Sequence, residues 1–316
     1  MLTAPCFHLV AAGEPPPHVR HLYQCHRPST FEKDLDLLLK RGTPVSLRDI
    51  EEHVESGTTL PKRALFVSFD DGMREMEDIV APICSAKGVP VTFFLSTGFL
   101  DNRSLFFRHK ASLLIDRLET QDANESEIKR VLERRGVTTD DPRGFFRTAR
   151  YSDTSHLDAC AGIVGLDFGQ YLRDKKPYLT EDQVDCLLRK GFTIGGHSVD
   201  HPLFGDLDHA TQVEQTRVCM QHLESRFAIR FKAFAFPFVS DGVPRTYYDT
   251  VFKEGIADIA FCIGETPTGY NGRTVERFGV ENQNSCSASA ALRKQGKKRW
   301  RNVLASAKRR LLTFAT

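Results

Sequence analysis

The sequence predicts an α/β protein built on a parallel sheet, and three observations carry that reading. Apolar runs of strand length recur along the chain, segments of helical periodicity alternate with them, and two runs, ALFVSFDDG (64–72) and VPVTFFLSTGF (89–99), are apolar almost throughout. A strand covered on both faces reads this way, as in a parallel sheet between layers of helices. Strand–helix alternation is the rhythm of such folds.

Taken in order, TAPCFHLVA (3–11) is a first short strand carrying one histidine, and a loop rich in Pro and His follows over 13–28. STFEKDLDLLLKRG is a helix started by Ser29 or Thr30, with Phe31, Leu35, Leu38 and Leu39 on one face and Gly42 at its end. TPVSL (43–47) is a strand and SLRDIEEHVESG (46–57) a second capped helix. After 64–72 comes a helix over 75–88, then the strand at 89–99. Residues 101–190 change character: HKASLLIDRLET, SEIKRVLERRG and TEDQVDCLLRKG are helical in pattern and richly charged. They read as a helical insertion between two strands. The rhythm returns with FTIGGHSVDHP (192–202), a helix over 209–227, the strand KAFAFPFV (232–239), the helix TYYDTVFKEG, the strand IADIAFCIG, and VERFGVE (275–281) as the last core strand. From Arg293 to Arg310 the chain carries nine Lys or Arg and no acid, with Trp300, Val303, Leu304, Ala307 and Leu311 at helical spacing. Such a tail can pack on the core or lie on an anionic membrane surface.

With 316 residues, 41% hydrophobic and 27% charged, the chain has the make-up of a globular enzyme large enough for one barrel with additions or for two smaller domains. A net charge of +2 gives no global field for nucleic acid. No run of 18 apolar residues is present, and the N-terminus lacks a basic leader region, so a cytoplasmic protein is expected, peripheral at the inner membrane face if the tail binds lipid. The eight cysteines are scattered without a C-x-x-C pair, which points to reduced thiols. Oligomeric state is not legible.

Two polar clusters follow apolar strands. Asp70-Asp71-Gly72 places adjacent carboxylates at a partly desolvated strand end, where like charges repel and need a counter-charge. A metal ion meets that need for one and leaves the other as a base. An Asp-Gly turn is the plain alternative. His197 and His201, four apart in GGHSVDHP, can share one ion from a turn or tight loop, and the two glycines let the backbone approach closely. Either cluster alone is weak. Together they sit where α/β barrels collect catalytic residues, and one Asp with two His leaves open positions on a zinc-like ion.

At these residues the chain resembles the polysaccharide deacetylase family, which shares the NodB homology domain. SFDDG is similar to its first motif (T-F-D-D-G), HSVDHP to its second (H-[ST]-x-x-H-P), and AFAFPFV to its third. The resemblance spans roughly residues 3 to 282. It implies a distorted (β/α)7 barrel, here over 1–285 with the insertion at about 101–185, followed by the basic tail at 286–316. It implies metal-dependent removal of an N-acyl, chiefly N-acetyl, group from an amino sugar. Asp71, His197 and His201 would ligate zinc, with cobalt or nickel as alternatives. Asp70 would be the general base, and the Phe238 N–H would meet the oxyanion. The substrate would be an N-acetylated sugar, a nucleotide sugar or a lipid-linked glycan.

The chain departs from the pattern in two places. The arginine two residues before the third-motif proline is replaced by Ala235, and no histidine follows His222 to serve as the late general acid. One branch of the family carries its acid histidine on the first strand, where this chain has His8, so His8 is the candidate acid. Arg277 in VERFGVE is a candidate substitute for the missing arginine. These departures keep open a catalytically inactive, carbohydrate-binding member of the fold. An amidase or esterase with its own nucleophile is disfavoured, since no G-x-S-x-G elbow is present.

Overall fold

The computed structural model describes residues 2–120, 125–282 and 284–297. Among these, one parallel sheet holds β1 (Pro5–Phe7), β2 (Val67–Phe69), β3 (Val91–Leu95), β4 (Thr193–Gly196), β5 (Ala233–Ala235), β6 (Ile259–Cys262), β7 (Thr274–Glu276) and β8 (Phe278–Gly279). Their order is β8-β1-β2-β3-β4-β5-β6-β7, with every neighbouring pair parallel.

β7 and β8 stand at opposite ends of that order, yet only Arg277 separates them in the chain. One extended segment therefore pairs with β6 through its first half and with β1 through its second, closing the sheet into a barrel. The Arg277 N–H donates to the Cys262 carbonyl (2.6 Å) and the Phe278 N–H to the Ala4 carbonyl (3.1 Å), so the ladder changes partner within one residue. Counted as chain segments the barrel has the seven expected strands, the last of them split at Arg277.

Strand alternation sorts the side chains. Val67, Phe69, Val91, Phe93 and Leu95 face outward into a core shared with the surrounding helices. Phe66, Phe94, Ala233, Ala235 and Phe261 fill the other side of the strands. Ser68 and Asp70 share the parity of Phe66, which turns them into the barrel. Gly195 and Gly196 are sterically required. A Cβ on Gly195 would lie 2.5 Å from the Phe94 ring and 2.7 Å from the Ala233 carbonyl, and one on Gly196 would lie 2.5 Å from Met220 Sδ. Gly195→Ala is expected to lower stability by about 1–3 kcal/mol through overpacking. A thermal midpoint equal to that of the parent protein would refute the steric account.

Among the described residues, six α-helices between β3 and β4 form the insertion, from Phe107–Thr120 to Glu181–Arg189. The first five bury Leu114, Ile128, Leu132, Phe146 and Leu157 in a core of their own, which Leu9, Val19 and Met73 join from the barrel side, while Glu181–Arg189 packs Val184 and Leu187 into the core around the barrel strands.

Several local expectations are corrected. A short helix, Pro17–Arg20, interrupts the expected loop over 13–28, and the helix expected from Ser29 or Thr30 begins at Pro28, with Arg27 as its N-cap and the Arg27 N–H donating to the Thr30 hydroxyl, so neither Ser29 nor Thr30 caps it. A proline at the first helical position loses no bond, because that N–H has no partner within the helix. The helix over 75–88 opens with a π-helical turn, Met76–Val80. Pro82 has no N–H to give, and the turn carries the chain to an α-helix that starts at Ala81. The strand at 43–47 shrinks to Thr43–Pro44 and pairs with Ala64–Leu65 outside the barrel. All eight cysteines are free. The amphipathic helix expected in the basic tail falls mostly on 298–316, outside the described residues. No helix among the described residues is long and apolar enough to cross a membrane.

Candidate active site

The polar residues singled out in the sequence meet at the carboxyl ends of the strands. His8 follows β1, Asp70 and Asp71 follow β2, His197 follows β4, and Phe238 lies three residues beyond β5. Ligand-capable atoms of Asp71, His197 and His201 all lie within 4.8 Å of one another, and all three residues are buried. The His201 and His197 Nε2 atoms stand 3.0 and 3.5 Å from Asp71 Oδ1. That oxygen accepts no conventional hydrogen bond. The His197 Nδ1–H donates to the Ala235 carbonyl at 2.8 Å, which frees Nε2 as a lone-pair donor. Burial pulls the His201 imidazole below its usual range, favouring the neutral form that ligates cations, although Asp71 works against this. For Asp71, burial alone would raise the carboxyl, but the two imidazoles beside it, His201 foremost, hold it well below the usual carboxylate range. A buried set of one carboxylate oxygen and two imidazole nitrogens, with its acceptor oxygen otherwise unmatched, fits a divalent cation.

Local backbone geometry serves this convergence. Asp71 (φ 80°), Ser198 (φ 65°), His201 (φ 56°) and Phe238 (φ 56°) all adopt positive φ, which L-residues avoid. Such conformations persist where surrounding contacts over-determine them. The His201 N–H donates to Ser198 Oγ at 3.0 Å, and the Thr97 and Gly98 N–H groups donate to the Ser198 and Val199 carbonyls.

Asp70 lies apart from the two-histidine grip: its nearest imidazole atom, His197 Nε2, is 3.9 Å away. Its partner is Arg277. The guanidinium is 1% exposed, donates to Asp70 Oδ1 at 2.7 Å and Oδ2 at 2.9 Å, reaches Ser68 Oγ at 3.0 Å, and lies 4.9 Å over the Phe94 ring. Burial opposes its charge, but the charge of Asp70 holds it. The bidentate fork fixes the plane of the carboxylate, which the methyl of Ala235 cannot do.

His8 sits at the rim with its side chain 25% exposed. Its Nδ1 is 3.2 Å from Glu281 Oε2, its N–H donates to Glu281 Oε1 at 3.0 Å, and the Tyr23 ring lies 5.2 Å away. Burial works against the proton on His8, but the hydrogen bond and charge of Glu281 outweigh it and lift the imidazole to about 9. Burial likewise opposes the charge on Glu281, yet His26 and His8 hold it down to about 2. Neither Glu281 nor His26 stood out in the sequence. Positions 277, 279 and 281 share strand parity in RFGVE, and that was the available signal.

The Phe238 ring packs edge-on against His201 at 4.7 Å and stays 39% exposed. Phe106, from the insertion, lies 4.4 Å from His201, and the Tyr151 hydroxyl donates to Asp200 at 3.2 Å. The insertion thus reaches the loop that carries both histidines.

A family model described as polysaccharide deacetylase matches residues 57–254. No curated protein matches the chain. Among solved structures, the Streptococcus pyogenes deacetylase PplD, solved with acetate, aligns at 12% identity and a TM-score of 0.56 over 92% of this chain and 96% of its own. IcaB from Ammonifex degensii aligns at 16% identity and 0.54, covering 87% and 90%. A de-N-acetylase from Aggregatibacter actinomycetemcomitans aligns at 14% and 0.50, covering 87% and 93%. Identities this low establish a shared fold.

Proposed function

Because the chain belongs to the polysaccharide deacetylase family, and is thereby a carbohydrate deacetylase, we propose that it hydrolyses the N-acetyl group of an amino sugar with the help of a divalent cation. The observation that carries this reading is the division of labour between adjacent carboxylates: Asp71 converges with His197 and His201, while Asp70 is turned away and forked by Arg277.

Asp71, His197 and His201 would hold the cation, with zinc the best match to a nitrogen-rich set and cobalt or nickel able to substitute. When bound, such a cation supplies Lewis acidity that activates water and polarises a carbonyl. The protein's own residues supply the rest. Asp70, oriented by the Arg277 fork, takes a proton from water as it attacks the amide carbon. The Phe238 N–H, presented at a positive-φ turn, donates to the developing oxyanion, an interaction of about 3 kcal/mol when water is excluded. His8, protonated at neutral pH through Glu281, gives its proton to the departing amine. The products are acetate and a free amino sugar. The insertion, with Phe106 and Tyr151 against the histidine loop, would border the bound sugar.

The substrate classes that suit this reading are a nucleotide sugar, an N-acetylated glycoside and a lipid-linked glycan, the last favoured by the basic tail. The test is acetate release from N-acetylated nucleotide sugars, chito-oligosaccharides and glycosides by protein stripped of metal and reloaded with zinc, cobalt or nickel. Release that chelation abolishes and one of these ions restores is the expected result. No release under any of these conditions would instead support a carbohydrate-binding protein without activity.

A further inference from the structure

Glu281 is held from two sides, and the mechanism uses only one of them. On the site side, His8 takes both of its oxygens, through its N–H to Oε1 at 3.0 Å and its Nδ1 to Oε2 at 3.2 Å. On the far side, His26 Nδ1 lies 3.4 Å from Oε1. His26 is 0% exposed, and its other nitrogen, Nε2, is 3.1 Å from Asp34 Oδ2. The same Asp34 oxygen accepts the Ala288 N–H at 2.7 Å. The Phe7 and Phe31 rings pack edge-on to the His26 imidazole at 5.4 and 6.3 Å, so it can neither turn nor reach water.

An imidazole wedged between two carboxylates in an apolar cage is a costly arrangement for a purely structural purpose. Glu281 does not need it for position, since His8 already binds both oxygens. Its effect falls on the charge of Glu281. A buried carboxylate given over wholly to His8 would grip the His8 proton, and an acid that holds its proton too tightly transfers it poorly. We propose that His26 is a positioning residue for His8: anchored by Asp34, it holds the far side of Glu281 and divides that carboxylate between two imidazoles. This rests on His8 being the acid of the proposed reaction.

The charges support it. Burial opposes a proton on His26, but Asp34 and Glu281 outweigh it and lift the imidazole to about 9, so His26 is a cation at neutral pH. The other ionisable groups facing this chain are Tyr23 beside His8, Cys25 next to His26, Cys286 in register with Glu281, and Asp70 and Asp71 across the site. Burial raises the Cys25 thiol to about 12 and raises the Tyr23 phenol and the Cys286 thiol as well, so all three stay neutral and do not replace the His26 charge.

The test is the titration of His8 in full-length, metal-free protein carrying ¹³C-labelled histidine, followed by NMR at the ring Cε1–H and assigned with His8→Gln. Removing the His26 cation leaves Glu281 to His8 alone. In His26→Gln the His8 midpoint should rise by about 1 pH unit or more from its parent value. Asp34→Asn, which withdraws the anchor of the His26 charge, should shift it in the same direction. An unmoved or lowered midpoint in a folded His26→Gln protein overturns the proposal. If His26→Gln fails to fold, Asp34→Asn decides by the same criterion. Acetate release by His8→Gln separates this from the parent reading: a loss of about 10²- to 10⁴-fold supports His8 as the acid, and full retention removes it from that role whatever the midpoints show.

Discussion

Asp70→Asn is expected to keep the cation and lose about 10²- to 10⁴-fold in acetate release. The amide nearly matches the carboxylate in size but cannot take a proton from water. Asp70 lies outside the Asp71, His197 and His201 set, with its nearest imidazole nitrogen at 3.9 Å, so its charge is not needed to close the cation site. Metal content after dialysis and turnover on the best substrate of the screen are the two measurements. Loss of both together would make Asp70 a ligand, and turnover within tenfold of the parent would remove it from the role of base. Because the introduced amide would point two donors at a guanidinium that also only donates, some loss of stability accompanies the change, and near-ultraviolet dichroism controls for it.

Arg277→Met is expected to be the most destabilising single change at the site, costing about 3–5 kcal/mol. The cost arises from what remains: a carboxylate 3% exposed at its side chain and stripped of its counter-charge. Asp70→Asn combined with Arg277→Met should restore much of that stability, because a neutral pair leaves no buried charge uncompensated. Chemical denaturation of the two single variants and the double variant measures the coupling. Strictly additive losses would mean that Asp70 and Arg277 do not act as a unit. Activity in Arg277→Met, where protein folds, should fall by about 10- to 100-fold as the base loses its orientation.

The convergence of Asp71, His197 and His201 was legible in the sequence because its members are crowded. Two acids follow one apolar run and two histidines follow another, and each run ends where a parallel strand ends. The barrel was legible from the same runs. His8 could be read only through a departure, the lack of any histidine after His222. Arg277 stood out only as a substitute for the arginine absent at Ala235, because nothing local ties it to Asp70: the two are 207 residues apart and meet through closure of the barrel. Glu281 and His26 were invisible for a related reason. A single acid at a strand end and a single histidine in a loop carry no periodicity, and their meaning depends on which strand ends become neighbours. The π-helical turn before Ala81 was missed because helical periodicity does not register one extra residue in a turn.

The segment 274–279 both joins the two open edges of the sheet and carries the cation that steadies Asp70. Synthesis proceeds from the N-terminus, so this stretch leaves the ribosome after every residue proposed to bind metal. A nascent chain stopped at residue 273 would already contain Asp71, His197 and His201 but would lack Arg277 and Glu281. Hydrolytic competence would therefore begin only once the barrel is complete, and the order of translation itself would keep unfinished chains from acting on acetylated sugars.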